Sequence, residues 1–129
     1  MGLNIRLSCS GCKENSDYKI GQGLRDFDKE IIINQFSSKQ SEVSKALEQA
    51  SIYNFEKVVG YCQDCNTFGS FSKLTYFLDD EQLIILDTCE CGNTPKIVFE
   101  AKDADNAQLK IDCPRCSDKL EIQILDYFD

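Results

Sequence analysis

The chain has 129 residues, long enough for one compact domain, or for two very small ones if something other than hydrophobic burial reinforces each. With 42% hydrophobic and 28% charged residues, the composition excludes wholesale disorder. A formal charge of −8, from 22 acidic and 14 basic side chains, opposes nonspecific attraction to nucleic acid or to an anionic membrane.

From the N-terminus, MGLNIRLSCSGC has no basic stretch followed by a long apolar run, so no secretory leader is expected. Arg6 stands where a myristoylation signal wants Ser or Thr. No apolar run approaches the ~20 residues that would span a bilayer. A cytoplasmic protein without membrane contact is expected. Ile5–Ser8 predicts a strand entering the pair Cys9 and Cys12. Residues 18–54 hold no cysteine and read as an insert. Within it, Gly21-Gln22-Gly23 marks a turn rather than a phosphate loop. Glu30–Phe36 fits either a strand or a helix, because Leu24, Phe27 and Ile31 share helical spacing. Ser37–Ala50 predicts a short amphipathic helix: Val43, Ala46, Leu47 and Ala50 recur at i, i+3, i+4 and i+7, and Ser37 with Gln40 fits a capping box. Its apolar stripe is expected to cover the sheet.

Lys57–Tyr61 leads into Cys62 and Cys65. Phe71–Leu78 then runs to a turn at Asp79–Gln82, and Leu83–Asp87 returns to Cys89 and Cys91. Lys96–Ala101 runs to a turn in KDADNA, Gln108–Asp112 returns to Cys113 and Cys116, and Leu120–Leu125 leads away. LEIQIL and QLKI alternate apolar and polar residues, the mark of half-buried strands. Followed as a meander, these strands place the polar turns at one end and every cysteine pair at the other. The predicted fold is mainly β with a short helical insert.

The eight cysteines form four pairs with none left over. In a reducing compartment such thiols serve metal binding or redox chemistry. Two thiolates in one tight turn grip a metal ion, and a second turn completes a tetrahedral shell. Gly11 and Gly92 suit such turns because glycine accepts positive φ. A disulfide across a single residue at Cys89 and Cys91 would be strained, so CEC reads as a shortened ligand turn.

On these four pairs and their flanking strands, the chain resembles the zinc-ribbon class, with treble-clef or rubredoxin-type knuckles. The resemblance implies an antiparallel meander of zinc-ribbon hairpins and two zinc ions, each held by four cysteines. Hairpin-length spacers of 21 residues (Cys91 to Cys113) and 23 residues (Cys65 to Cys89) leave two pairings open. The sequential one is favoured, Cys9/Cys12/Cys62/Cys65 with Cys89/Cys91/Cys113/Cys116. The nested one joins CQDC to CEC and brings the chain ends together. Residues 1–129 are expected to form one zinc-stabilised unit, divisible into an N-terminal ribbon (1–70, insert about 21–54) and a C-terminal ribbon (71–129).

No histidine and no vacancy in two complete shells argue against an enzyme, so no catalytic residue is assigned. A non-enzymatic protein–protein interaction module (an adaptor, inhibitor or immunity-type protein) is the favoured function, with a protein partner contacted through acidic residues and aromatics such as those of Leu125–Asp129. One alternative is a nucleic-acid-binding ribbon, with Phe68, Phe71, Tyr76 and Phe77 to stack bases. Its few basic residues near the knuckles (Lys13, Lys96, Arg115, Lys119) are more simply read as balancing thiolate charge. Another is a redox-responsive centre or a rubredoxin-like electron carrier. CxC followed by CxxC, at Cys89, Cys91, Cys113 and Cys116, is similar to the zinc centre of a redox-switched chaperone family, although the spacer here is shorter.

Overall fold

The computed structural model describes residues 2–21, 28–105 and 111–128. Among the described residues, eight strands form one antiparallel sheet: β1 (Gly2–Cys9), β2 (Glu14–Gly21), β3 (Ile52–Cys62), β4 (Thr67–Leu78), β5 (Glu81–Leu86), β6 (Lys96–Phe99), β7 (Ile111–Asp112) and β8 (Lys119–Phe128). The described residues between β2 and β3 form the helices α1 (Lys29–Gln35) and α2 (Gln40–Gln49). Neighbouring strands run β5-β4-β3-β2-β1-β8-β7, and β6 pairs with β3. The mainly β fold with a helical insert is therefore as expected.

The sheet has two well-knit halves and a thin seam. β1 pairs along its whole length with both β2 and β8, so the strands nearest the chain ends lie side by side. β3 pairs fully with β4, and the second half of β4, from Lys73 to Leu78, pairs with β5. Across the seam, Gly21 faces Lys57 as the β2–β3 register pair. Alternation in β1 sends Leu3, Ile5, Leu7 and Cys9 to one face, where they pack with Ile20, Val59, Phe99, Cys113 and Leu120. A register shift at Asn4/Ile5 opposes Ile124 to Ile5 and Asp126 to Asn4, skipping Leu125. A bulged residue turns away from the inward row, and Leu125 is 39% exposed.

The second core lies under the helices. Ile32 and Phe36 join Val43, Ala46 and Leu47 of α2 against Phe55, Leu74 and Ile85 of the sheet. The apolar stripe of α2 covers the sheet as its spacing predicts. The capping box does not form. Lys39, at φ 59°, occupies the cap position without a side-chain bond to the helix. Ser37 and Ser38 are drawn instead to the buried carboxylate of Asp87, at the end of β5. Oδ2 accepts from the Ser37 N–H and hydroxyl, both at 3.0 Å. Oδ1 accepts from the Ser38 N–H at 3.2 Å and its hydroxyl at 3.0 Å. A carboxylate with two free oxygens takes more donors than a serine hydroxyl does, so it wins both serines.

The start of the cysteine-free stretch, Tyr18–Gly21, belongs to strand β2 (Glu14–Gly21) rather than to the insert. Of the two readings left open for Glu30–Phe36, the helix is the one formed, as Lys29–Gln35 with Phe36 extended at its end, and Asp28 caps its start by accepting from the Glu30 N–H at 2.9 Å. The Gly21-Gln22-Gly23 turn, the helical spacing through Leu24 and Phe27, the KDADNA turn, the Gln108–Asp112 strand and the Asp129 tail fall wholly or partly outside the described residues. Ala101–Asp105 is a short 3-10 helix. No described helix is long and apolar enough to cross a membrane.

Candidate metal centres

Each cysteine pair sits where one strand ends and the next begins, and antiparallel pairing carries all four turns to one end of the sheet. The structure brings the eight thiols into two groups of four, with sulfurs inside each group within 4.8 Å of one another. The groups are Cys9/Cys12/Cys113/Cys116 and Cys62/Cys65/Cys89/Cys91. This overturns the favoured sequential pairing: the nested alternative is the one formed. The reason is the β1–β8 ladder, whose register sets Cys9 against Leu120 and Leu7 against Ile122, bringing the first knuckle to the last. We call these the outer and inner centres.

All eight cysteines are free thiols. Sγ–Sγ distances are 3.4 Å for Cys9–Cys116 and 3.9 Å for Cys12–Cys113. In the inner centre they are 3.4 Å for Cys62–Cys91 and 3.5 Å for Cys65–Cys89. A disulfide needs about 2.05 Å, whereas a zinc ion bonded to four sulfurs at about 2.3 Å separates them by about 3.8 Å. The donor set thus fits a tetrahedral thiophilic ion, and CEC contributes two of the four sulfurs of its group.

One backbone device recurs in all four turns. The residue after each second cysteine is left-handed: Lys13 at φ 59°, Asn66 at 55°, Gly92 at 90° and Ser117 at 67°. That turn reverses the chain and aims N–H groups at sulfur. Cys9 receives the N–H of Cys12, and Cys62 that of Cys65. Cys12, Cys91 and Cys116 receive those of Glu14, Asn93 and Asp118. Such donors stabilise thiolate charge. Gly92 has the expected positive φ. Gly11 does not, and serves close approach instead: a Cβ there would run into the Asp118 side chain.

Protons are unevenly shared. The N–H of Cys12 chiefly brings the Cys9 thiol down to about 7 against its burial. The N–H of Asn93, helped by the Cys62 and Cys65 thiols, does the same for Cys91, to about 7. Hydrogen bonds with Cys91, Cys89 and Cys62 push Cys65 up to about 12. A dication would displace the retained protons and replace them with four metal–sulfur bonds.

The centres differ in surroundings. Cys9 and Cys113 are buried and Cys12 and Cys116 half-buried, whereas Cys65 and Cys91 of the inner centre face solvent. Of the basic residues near the knuckles, Arg115 approaches a sulfur, with Nη1 3.9 Å from Cys12 Sγ. Lys119 pairs with Asp112 instead. Sequence reasoning missed Asn93, whose side-chain amide reaches Cys91 Sγ at 3.5 Å, and the bracing role of Asp118. Their shared position, two residues after a pair's second cysteine, was the available signal. Phe68, Phe71, Tyr76 and Phe77 are all half-buried; Phe68 packs on the core built around β1 and Tyr76 on the core under the helices. No protein-family model, curated protein or solved structure matches the chain.

Proposed function

We propose that the protein is a zinc-binding, non-enzymatic interaction module whose two metals hold a β platform in shape for a protein partner. The observation that carries the reading is the completeness of both thiol groups: four sulfurs each, at spacings suited to one tetrahedral ion. A closed shell leaves no coordination position for a substrate, so the metals act on stability. Zinc binding contributes on the order of 10 kcal/mol in small zinc-finger peptides, comparable to a whole domain's stability. The formal charge of −8, made more negative once eight thiolates hold two dications, favours a basic or mixed protein surface over phosphate. At one end of the sheet, exposed Asp79, Asp80 and Glu81 adjoin Ile84 and Ile52, which are 52% and 65% exposed. This mixture of acidic and apolar surface suits such a partner.

Elemental analysis of protein purified without added metal tests the reading, with two zinc ions per chain expected. Iron in both centres would favour electron transfer instead. Single-stranded and duplex DNA should produce no mobility shift. A shift that weakens with salt would replace the protein partner with nucleic acid.

A further inference from the structure

Arg115 belongs to the outer centre by sequence, lying between the ligands Cys113 and Cys116, yet its guanidinium reaches the inner centre. Nη1 donates to Glu14 Oε2 at 3.0 Å and lies 3.9 Å from Cys12 Sγ, both on the first knuckle. Nη2 donates to the backbone oxygen of Asn66 at 2.9 Å. The guanidinium carbon stands 5.2 Å from the centroid of the Phe68 ring. Asn66 is the left-handed residue that closes the CQDC turn, and its side chain accepts from the Tyr61 hydroxyl, one residue before Cys62. One planar cation therefore bridges a ligand turn of one centre to the closing residue of a ligand turn of the other.

We propose that Arg115 couples the two centres, so that filling one raises the zinc affinity of the other. This inference rests on the metal-binding reading above. With the outer centre empty, the CPRC and CSGC turns are joined only through the β1–β8 ladder and the Arg115–Glu14 pair, and Arg115 is held over Asn66 less firmly. With it filled, the fork is fixed between Glu14, Cys12 and Asn66, and the CQDC turn is held in the conformation that aims the Cys65 N–H at Cys62. The inner centre then loses less freedom on closing. Linkage makes the effect reciprocal, and intersite coupling is typically 5- to 150-fold. About tenfold is expected for one guanidinium fork. Lysine supplies the charge without the fork, so it should not substitute.

Native mass spectrometry of the full chain, equilibrated with zinc and a competing chelator, tests this. At half-saturation, independent sites leave about half or more of the molecules with one zinc. The native protein should show clearly less, passing mainly from the empty to the two-zinc form. Arg115→Gln and Arg115→Lys should accumulate the one-zinc form, yet reach two zincs and the native circular dichroism spectrum in excess metal. As a second route, removing the inner centre with Cys65→Ser/Cys89→Ser should weaken outer-centre zinc binding about tenfold, and do so much less when Arg115→Gln is also present. A one-zinc population equal in the native and Arg115→Gln proteins would overturn the coupling. Absence of any two-zinc species in the native protein would instead overturn the metal reading itself.

Discussion

Asp87 shows how one side chain fastens the helical insert to the cysteine-bearing end of the sheet. Burial by itself would raise its pKa, but the N–H groups of Ser37, Ser38 and Thr88 and the Ser37 hydroxyl outweigh it and hold the carboxyl below its ordinary range. A lowered folded-state pKa means that the contribution is fully present above the unfolded value of about 3.9 and is lost as pH falls through the folded value. Asp87→Asn should therefore lower stability by about 1–3 kcal/mol at neutral pH. Urea unfolding at equal metal content should show the two proteins converging in acid, below about pH 4. A gap that persists there would assign the loss to shape rather than charge. Gly11 makes a different point at the same scale. Its value was legible in the sequence, but the reason was not: composition suggests backbone freedom, whereas the constraint is the Asp118 side chain a hundred residues away in sequence. Gly11→Ala should destabilise the outer centre by about 1–3 kcal/mol, as overpacking does. Gly11→Ala/Asp118→Ala should recover most of that loss in thermal melts, because Asp118 braces the cysteines through its backbone. No recovery in the double variant would mean that the backbone at Gly11 matters after all.

Elements were legible where apolar residues kept a period. Val43, Ala46 and Leu47 announced α2, and all three are buried against Phe55, Leu74 and Ile85. Leu47→Ala should cost about 2–5 kcal/mol, read by denaturant unfolding, while both metals stay bound, since no ligand lies in the insert. Loss of metal from that variant would contradict the separation of helical core from ligand turns. β2 was illegible for the opposite reason. The positions of ENSDYKIG that share the face of Ile20 include Glu14 and Ser16, so no apolar alternation appears. Glu14 is placed there by its ion pair with Arg115, 3.0 Å away, which comes from the far end of the chain. A strand whose inward positions serve distant charges cannot be recognised from its own pattern. The same limit applied to the capping box: Ser37 and Gln40 had the right spacing, and a carboxylate fifty residues downstream outcompeted it.

At the scale of the whole molecule, the gathering of all eight cysteines into two groups of four was legible from residue type and spacing, but their partnership was not. Spacers of 21 and 23 residues each allow a hairpin, and loop length alone does not choose between them. The choice is made by β1 against β8, where Leu3, Ile5 and Leu7 need a partner strand and find Ile122 and Ile124. The outer group of four thiols thus joins the two ends of the chain around an inner ribbon that carries its own group of four thiols. Cys113→Ser, analysed for metal and alkylated before mass mapping, tests this nesting most directly. One zinc should remain, with Cys9, Cys12 and Cys116 modified and Cys62, Cys65, Cys89 and Cys91 protected. Modification of Cys89, Cys91 and Cys116 with Cys9 and Cys12 protected would contradict it.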